Sequence, residues 1–318
     1  MRAIPPELLG GPFTRDYAAT LGVSSRMLEG RRFVRIHPRV WRHRDHEMTA
    51  HDHVRAAALA LPAHAHTTGI TRIQQLGLDF GPHRPLRFVV PGDLHLALDG
   101  IFLHRTRALP PTDGVGVAPA GAFVAFCARA RVLDAIKVGD WLLHHEHMGL
   151  AEVRDLALAQ LWRDGAHETV WILDHLDAGS RSVRESEVRA LLAFSGLPRP
   201  RVNVDVGLGG RRVIGDLVLE EWGLVVEYEG LQHQTDRDQY VLDLSRYAEM
   251  RRASLGYVQV THEHLRTPRV MVGRVYQALV ERGYGGAPPT FGERWRSLFV
   301  RVSDLIGNDV RVRRRAVA

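Results

Sequence analysis

A pair of apolar segments joined by a short polar connection constrains the fold of this chain more than any other feature. Residues 213–219 read VIGDLVL, residues 224–229 read LVVEYE, and Glu-Glu-Trp-Gly connects them. Runs rich in β-branched residues around a short connection that contains glycine predict a β-hairpin. If the turn is centred on the middle of this connection, Asp216 lies opposite Glu227. The sequence therefore predicts two opposed carboxylates in an otherwise apolar hairpin.

The acidic side chains of this hairpin require a countercharge. Alternate residues of a strand share a face, so Glu229 joins Glu227 and Asp216. Like charges at opposed positions of a sheet are destabilising, whereas a divalent cation such as Mg²⁺ takes oxygen ligands and offsets the repulsion. A metal held by these carboxylates could orient a water and stabilise the charge that develops on a phosphate. The alternative is an exposed acidic face, or one carboxylate paired with a nearby arginine.

Polar residues follow the hairpin directly. His233 could act as a general acid or base, or could hydrogen-bond a phosphate. A long helix is predicted over about 236–255, with Thr235 as its N-cap. Arg246 on this helix could contact a phosphate, or could instead form a surface salt bridge with Asp243. This segment adds candidate phosphate contacts to the acidic pair.

The helix predicted before the hairpin carries a further acid. Residues 182–196 read SVRESEVRALLAFSG. Ser182 and Glu185 have the spacing of a capping box, in which Glu185 would accept a hydrogen bond from the backbone N–H of Ser182. Arg189, about one helical turn later, could pair with Glu185. An extended segment, the hairpin, the long helix and a strand at GYVQVTHEHL follow, and this order predicts a mixed α/β domain.

Three segments of this region resemble one nuclease family. They are RESEVRALLAFSGLPRPRVNV, GDLVLEEWGLVVEYEGLQH and DLSRYAEMRRASLGYVQVT. Together they resemble the DUF559 group of PD-(D/E)XK nuclease-like domains, which is related to the very short patch repair endonucleases. The resemblance implies a restriction-endonuclease-like fold and hydrolysis of phosphodiester bonds with Mg²⁺ (or Mn²⁺). It also implies that Asp216 and Glu227 are the two acids of the motif and that Glu185 is the family's first acidic residue.

One position departs from the general motif. PD-(D/E)XK sequences have lysine two residues after the second acid, where this chain has Glu229, and the single lysine of the chain, Lys137, lies far upstream. Acidic residues are usual here in the DUF559 group, so the departure leaves water activation to the metal or to His233. The candidate catalytic residues are Glu185, Asp216, Glu227, Glu229 and His233, and the candidate metal ligands are Asp216, Glu227 and Glu229.

The first 45 residues have a different pattern. Residues 14–21 predict a short helix capped by Thr14, Gly22 makes a turn, and a second helix begins after Ser24 or Ser25. The segment FVRIHPRVWR then predicts two strands broken at His-Pro. Two helices followed by a basic hairpin are the order of a winged helix-turn-helix. The candidate nucleic-acid contacts of the chain are Arg26, Arg31 and Arg32 on or after the second helix, and Arg246; Arg35, Arg39 and Arg42 would lie on the wing.

The segment FTRDYAATLGVSSRMLEGRRFVRIHPRVWR also resembles the winged helix of AbiEi-type antitoxins. This shorter resemblance implies DNA binding, with autoregulation or abortive-infection defence as roles. The alternative is a solvated basic face on a small helical module. A cognate toxin or a second copy of the chain is left open as a further partner.

Composition limits the remaining possibilities. The chain has 318 residues, one cysteine and a net charge of +6. No apolar stretch is long enough to cross a membrane, and the absence of cysteine pairs and of an apolar N-terminal signal predicts a cytoplasmic protein. The positive charge permits DNA as a partner without proving it. Scattered histidines without HExxH or CxxC spacing do not predict a zinc site.

We therefore expect an α/β protein with four regions. These are a winged helix-turn-helix at 1–45, a mixed α/β connecting region like that of AbiEi proteins at 46–178, a PD-(D/E)XK nuclease-like domain at 180–285 and a basic tail at 286–318. The first functional hypothesis is a metal-dependent DNA endonuclease targeted by the N-terminal module. The alternative is a catalytically inactive DNA-binding regulator or antitoxin of an abortive-infection-type system. An RNA substrate also remains open, because a basic surface can read the backbone of either nucleic acid.

Overall fold

The computed structural model describes residues 3–206, 214–229 and 254–307, and the chain divides into two compact units, Met1–Phe126 and Cys127–Ala318. Within the described residues, the fold is mixed α/β and its strands form three small sheets. No helix in those ranges is both long and apolar enough to cross a membrane.

The first unit begins with a small helical module closed by a three-stranded sheet. Its elements are β1 (Phe13–Thr14), α1 (Arg15–Thr20), α2 (Ser25–Leu28), β2 (Phe33–His37) and β3 (Val40–His43). Thr14 caps α1 by accepting a hydrogen bond from the backbone N–H of Tyr17, and Ser24 caps α2 in the same way. β3 lies between β1 and β2 and is antiparallel to both. The predicted order of two helices and a hairpin is confirmed, although α2 ends at Leu28, before Arg31.

The rest of the first unit places helices beside a second sheet. Its elements are α3 (Ala50–Ala60), β4 (His66–Thr67), α4 (Gly69–Gln75), β5 (Leu86–Pro91), β6 (Ile101–Thr106) and α5 (Pro119–Cys127), which reaches the boundary between the units. β5 is antiparallel to β4 and parallel to β6. Thr49 and Asp52 form a capping box at the start of α3. Because α3 packs against β2 and β3, the predicted boundary at residues 45–46 lies inside the first unit.

The second unit contains a four-stranded sheet and most of the helices of the described chain. Its elements are α6 (Val132–His144), α7 (Leu150–Ala159), α8 (Ala166–Ile172), α9 (Val183–Phe194), β7 (Arg201–Asp205), β8 (Ile214–Leu219), β9 (Leu224–Tyr228), β10 (Gly256–Val260), α10 (His262–Arg266), α11 (Pro268–Glu281), α12 (Glu293–Ser297) and α13 (Val302–Leu305). The strand order is β7-β8-β9-β10. The first three strands are antiparallel neighbours, and β10 is parallel to β9.

Helix α9 packs on α6, β8 and β9, so it links the helical part of the second unit to the sheet. Two ion pairs join α6 to α9: Lys137 with Glu187 at 2.7 Å and Arg189 with Asp140 at 2.6 Å. The boundary predicted near residues 178–180 therefore falls within the second unit. The small polar residues at 177–180 indicated a domain boundary, but Arg189, which follows them, pairs with Asp140, which precedes them.

Two further segments differ from the sequence predictions. The strand predicted through GYVQVTHEHL ends at Val260, because Thr261 N-caps α10 and its backbone N–H donates to His264 Nδ1 at 3.0 Å. The described part of the predicted basic tail packs onto the second unit, since Trp295 and Val302 are buried. Most of the predicted long helix 236–255 and the end of the tail lie outside the described residues.

Candidate active site

The β8–β9 hairpin has the register that the sequence predicts. The observed pairs are Leu217 opposite Val226, Val218 opposite Val225 and Leu219 opposite Leu224. The next residues along each strand are Asp216 and Glu227. Oδ2 of Asp216 accepts a hydrogen bond from the backbone N–H of Tyr228 at 3.1 Å. Asp216 is thus held against the strand segment that carries Glu227 and Glu229.

Side-chain alternation along β8 is interrupted beside Asp216. A Cβ added at Gly215 would lie 2.7 Å from Cγ2 of Val218 and 3.0 Å from Cγ1 of Val225. Residues three apart face opposite sides of a regular strand, yet Gly215 and Val218 face the same side. Alternation along β8 is therefore interrupted between Gly215 and Val218, beside Asp216, whereas the prediction that the three carboxylates share a face stays a prediction. The irregularity brings Gly215 so close to its neighbours that a larger residue would not fit.

Glu227 lies on β9, one of the two inner strands, and Glu229 directly follows the end of this strand. Glu227 is only 7% exposed, and Gln259 of β10 is its partner in the parallel register. Glu229 is half-buried, and its backbone N–H donates to the carbonyl of Val260 at 2.8 Å. Burying a carboxylate costs free energy unless it is paired, hydrogen-bonded or bound to a metal. Glu227 thus places a carboxylate within an otherwise apolar strand.

Glu185 lies in the first turn of α9 and is also buried. Its backbone N–H donates to Oγ of Ser182 at 3.1 Å, which is the first half of the predicted capping box. The second half differs: Oε2 of Glu185 accepts from the backbone N–H of Arg181 at 3.0 Å and from Nδ2 of Asn203 at 2.7 Å. The contact with Asn203 connects Glu185 to strand β7, one strand away from Asp216.

The predicted pairing of Arg189 with Glu185 is wrong. Arg189 is almost completely buried, and Nη2 donates to Asp140 at 2.6 Å and to the carbonyl of His175 at 2.9 Å. Lys137, the single lysine of the chain, pairs with Glu187 on α9 at 2.7 Å and is also buried. Its ion pair with Glu187 gives Lys137 a structural role between helices.

Tyr228, the last residue of β9, lies between Glu227 and Glu229 in the chain. Burial raises the pKa of its hydroxyl above the ordinary value, and the nearby Arg184 opposes this effect. The hydroxyl is therefore protonated at neutral pH and can act as a hydrogen-bond donor. Glu263 and Glu187 act in the same direction as burial.

The donor atoms at this place are oxygens, which suit a hard cation such as Mg²⁺ or Mn²⁺. The carboxylates of Asp216, Glu227 and Glu229 and the side chain of Glu185 supply them. Among residues 3–206, 214–229 and 254–307, however, no three His, Cys, Asp or Glu side chains form a group that could hold a metal ion. His233 and Arg246 lie outside the described residues.

The basic residues of the N-terminal module differ in their availability. Arg26 and Arg31 are exposed, whereas Arg32 is half-buried. All three arginines of the predicted wing are engaged: Arg39 pairs with Asp16, and Nε of Arg35 donates to the carbonyl of His37 at 3.5 Å. Nη1 of Arg42 donates to the carbonyls of residues 44 and 46, each at 2.7 Å. The charges of Arg26 and Arg31 are thus presented to solvent, and Arg42 holds the end of the β2–β3 hairpin in place.

Two polar residues near the acids were not identified from the sequence. Asn203 stands between two valines of a short strand, and Gln259 lies on a strand about 30 residues after Glu227 in the chain. A polar residue within an apolar strand is a weak signal by itself. Only strand pairing shows that both lie beside the acidic positions.

Comparison with known proteins identifies relatives without a described activity. Two uncharacterized proteins of Mycobacterium tuberculosis, from strains CDC 1551 / Oshkosh and ATCC 25618 / H37Rv, are each 24% identical to this chain over 171 residues. The matches cover 52% of this chain, and the chain spans 63% of the length of these relatives. No family model and no solved structure matches the chain.

Proposed function

We propose that this protein is a metal-dependent DNA endonuclease that hydrolyses phosphodiester bonds and is targeted to DNA by its N-terminal module. The proposed active site consists of Asp216 on β8, Glu227 on β9, Glu229 just after β9 and Glu185 on α9, with His233 as a further candidate. The proposed fold of the second unit is restriction-endonuclease-like, and that of the N-terminal module is a winged helix-turn-helix.

One observation carries the proposal. The pairing of β8 with β9 brings Asp216 to the strand that carries Glu227 and Glu229, and the hydrogen bond from Tyr228 N–H to Asp216 at 3.1 Å fixes it there. Carboxylates concentrated on two adjacent strands repel one another. A structure that keeps them together gains from a bound cation, which also suits chemistry at phosphate.

Each group has a distinct task in the proposed reaction. A bound Mg²⁺ would activate a water and neutralise charge on the phosphate. Asp216 and Glu227 would hold that ion, with Asp216 fixed by its backbone hydrogen bond. Glu185 on α9 would be the further acid of the proposed site, and Asn203 donates a hydrogen bond to its carboxylate. Tyr228, whose hydroxyl is protonated, would not serve as the base.

The arrangement of elements supports the fold part of the proposal. Helix α9 packs on β8 and β9, and β10 returns parallel to β9 at the edge of the sheet. The acidic residues lie on the helix and on the two inner strands. Such a frame fixes carboxylates from separate elements relative to one another, as a catalytic site requires.

Cleavage of DNA by the purified full-length chain tests the proposal. We expect nicking or cutting of plasmid DNA in Mg²⁺ or Mn²⁺, and a loss of about 100-fold in rate for Asp216→Asn and for Glu227→Gln, since each replaces a carboxylate that would hold the metal ion. Glu221→Gln is the matched control, because Glu221 is an exposed acid in the connection of the same hairpin. Full activity in both site variants would assign the cleavage to another site or another protein.

The second candidate function is a DNA-binding regulator or antitoxin without catalysis. Two observations favour it: the lysine of the general motif is absent from the hairpin, and Lys137 is committed to an ion pair with Glu187. This alternative predicts tight duplex binding, no cleavage in either metal and no change in DNA affinity for Asp216→Asn. The cleavage assay and a binding titration on the same preparations therefore separate the two functions.

A further inference from the structure

Asn203 has a backbone conformation that asparagine adopts only at a cost. Its φ is +51°, in the left-handed region, although it lies within strand β7. Left-handed backbone costs an L-residue roughly 1–2 kcal/mol, and glycine avoids that cost. Glycine at this position would be less strained than asparagine, so the presence of asparagine points to a role for its side chain.

The amide of Asn203 is oriented by two acceptors. Nδ2 donates to the carbonyl of Gly179 and to Oε2 of Glu185, each at 2.7 Å. These two contacts use both hydrogens of the amide and fix which end is nitrogen. Oδ1 is buried, and among the described residues it has no hydrogen-bond partner; the same holds for Oγ of Ser180. Buried polar atoms without partners are uncommon in folded proteins and require an explanation.

The position of Asn203 in the sheet relates it to the acidic residues. Val202 pairs with Leu217 and Val204 pairs with Gly215, so Asn203 and Asp216 occupy the positions between these pairs. Val204 packs with the cluster of Val218 and Val225, which a Cβ at Gly215 would also meet. The irregularity of β8 beside Asp216 therefore lies across from Asn203, the residue of β7 that has a left-handed backbone.

We propose that Asn203 is a positioning residue of the active site, which holds Glu185 toward the sheet at the level of Asp216 and presents Oδ1 as an additional oxygen acceptor or ligand. This inference rests on the proposed endonuclease function. The competing explanation is that Asn203 is present only because asparagine tolerates a positive φ. In that case glycine would serve equally well.

The substitution Asn203→Gly separates the two explanations. Glycine removes both side-chain functions and relieves the backbone, so we expect a variant that loses the contact with Glu185 without becoming much less stable. Ser254→Gly is the matched control, because Ser254 is a neutral, exposed residue of the same unit with φ +58°. Midpoints of urea unfolding establish that both variants are folded.

Binding of Mn²⁺ alone, measured by calorimetry on the full-length chain, provides a readout independent of turnover. We expect Asn203→Gly to weaken Mn²⁺ binding about tenfold or more and to slow single-turnover cleavage, as substitutions that remove the support of a ligand do. Ser254→Gly should leave both unchanged. If the wild-type chain binds Mn²⁺ and cuts DNA and Asn203→Gly does both equally well, this inference is overturned and the proposed function stands.

A pair of substitutions that exchanges the amide and the carboxylate tests the contact between Asn203 and Glu185. Asn203→Asp places a second carboxylate against Glu185 and should lower the unfolding midpoint. Adding Glu185→Gln restores a donor and an acceptor with their roles exchanged, and it should recover the part of the loss that comes from this contact, whereas the bond from residue 203 to the carbonyl of Gly179 stays lost in both variants. Absence of this rescue would show that the two side chains are not coupled, which contradicts the positioning role. A wild-type chain that neither binds Mn²⁺ nor cuts DNA would overturn the proposed function and the positioning role with it.

Discussion

Nη2 of Arg189 lies 2.6 Å from Oδ2 of Asp140, and both side chains are almost completely buried. The same carboxylate accepts a hydrogen bond from the backbone N–H of Asp177 at 2.7 Å. The guanidinium also donates to the carbonyl of His175. This ion pair therefore ties α9 to α6 and to the segment before α9, and it fixes the helix that carries Glu185.

Breaking this pair should destabilise the second unit strongly. Arg189→Leu leaves the carboxylate of Asp140 buried without its cation, and such losses cost about 3–5 kcal/mol. Adding Asp140→Asn should recover part of the loss, because no charge then remains buried. The free energy of unfolding in urea measures both. Arg201→Leu is the control, since its pair with Glu220 is exposed and should cost about 1 kcal/mol or less. A similar small loss for Arg189→Leu would contradict the assigned role.

Substitution of glycine by alanine should have opposite effects on stability at Gly215, beside the irregularity of β8, and at Gly273, which has open space around it. Gly215→Ala introduces a Cβ 2.7 Å from Val218 and should cost about 1–3 kcal/mol by overpacking. Gly273→Ala, in the middle of α11 with open space around the new methyl group, should stabilise by about 1 kcal/mol through helix propensity. Thermal or urea unfolding compares them. Equal stability of Gly215→Ala and the wild type would show that β8 is regular at this place.

The stability of the first unit should depend on pH through His53. Burial, followed by the charge of Arg84, lowers the pKa of His53; Arg42 acts in the same direction and Asp52 opposes them. Arg84 donates to Nδ1 at 3.0 Å, which fits a neutral ring. The unfolded chain then binds more protons below about pH 6.5.

The free energy of unfolding should therefore fall as the pH drops from about 6.5 toward the lower pKa that His53 has in the folded state. Above about pH 6.5, His53 should make no contribution to the slope. His53→Gln should reduce this slope; His37, whose pKa is lowered chiefly by burial, would supply part of the remainder. Urea titrations between pH 5 and 8, in steps of about half a unit, measure the effect. An identical slope in His53→Gln would exclude His53 as a source.

Exposed arginines after the turn of the N-terminal module should contribute to DNA affinity. Arg26→Gln and Arg31→Gln should each weaken duplex binding and lower the magnitude of the slope of log K against log salt concentration by about 0.9. Arg301→Gln removes the same charge from an exposed position of the second unit and serves as the control. Equal effects of all three changes would indicate a general charge effect. Deleting residues 1–45 is less informative, because α3 packs against β2 and β3.

Local pattern predicted several parts of the structure correctly. Thr14 and Ser24 cap their helices, and the register of β8 with β9 follows from the apolar runs and their short connection. These features depend on neighbours within a few residues of one another. The placement of His233 and Arg246 stays a prediction, because both residues lie outside the described ranges.

The sequence by itself determined the elements that local interactions stabilise: capped helices, a hairpin of defined register and the acids upon it. Tertiary structure alone decided which distant groups meet. Arg189 pairs with Asp140 rather than with Glu185 one turn away, and Asn203 takes Glu185 as its partner. The physical reason is that a buried charge must find its partner wherever packing places one, and packing brings together residues that no spacing rule relates.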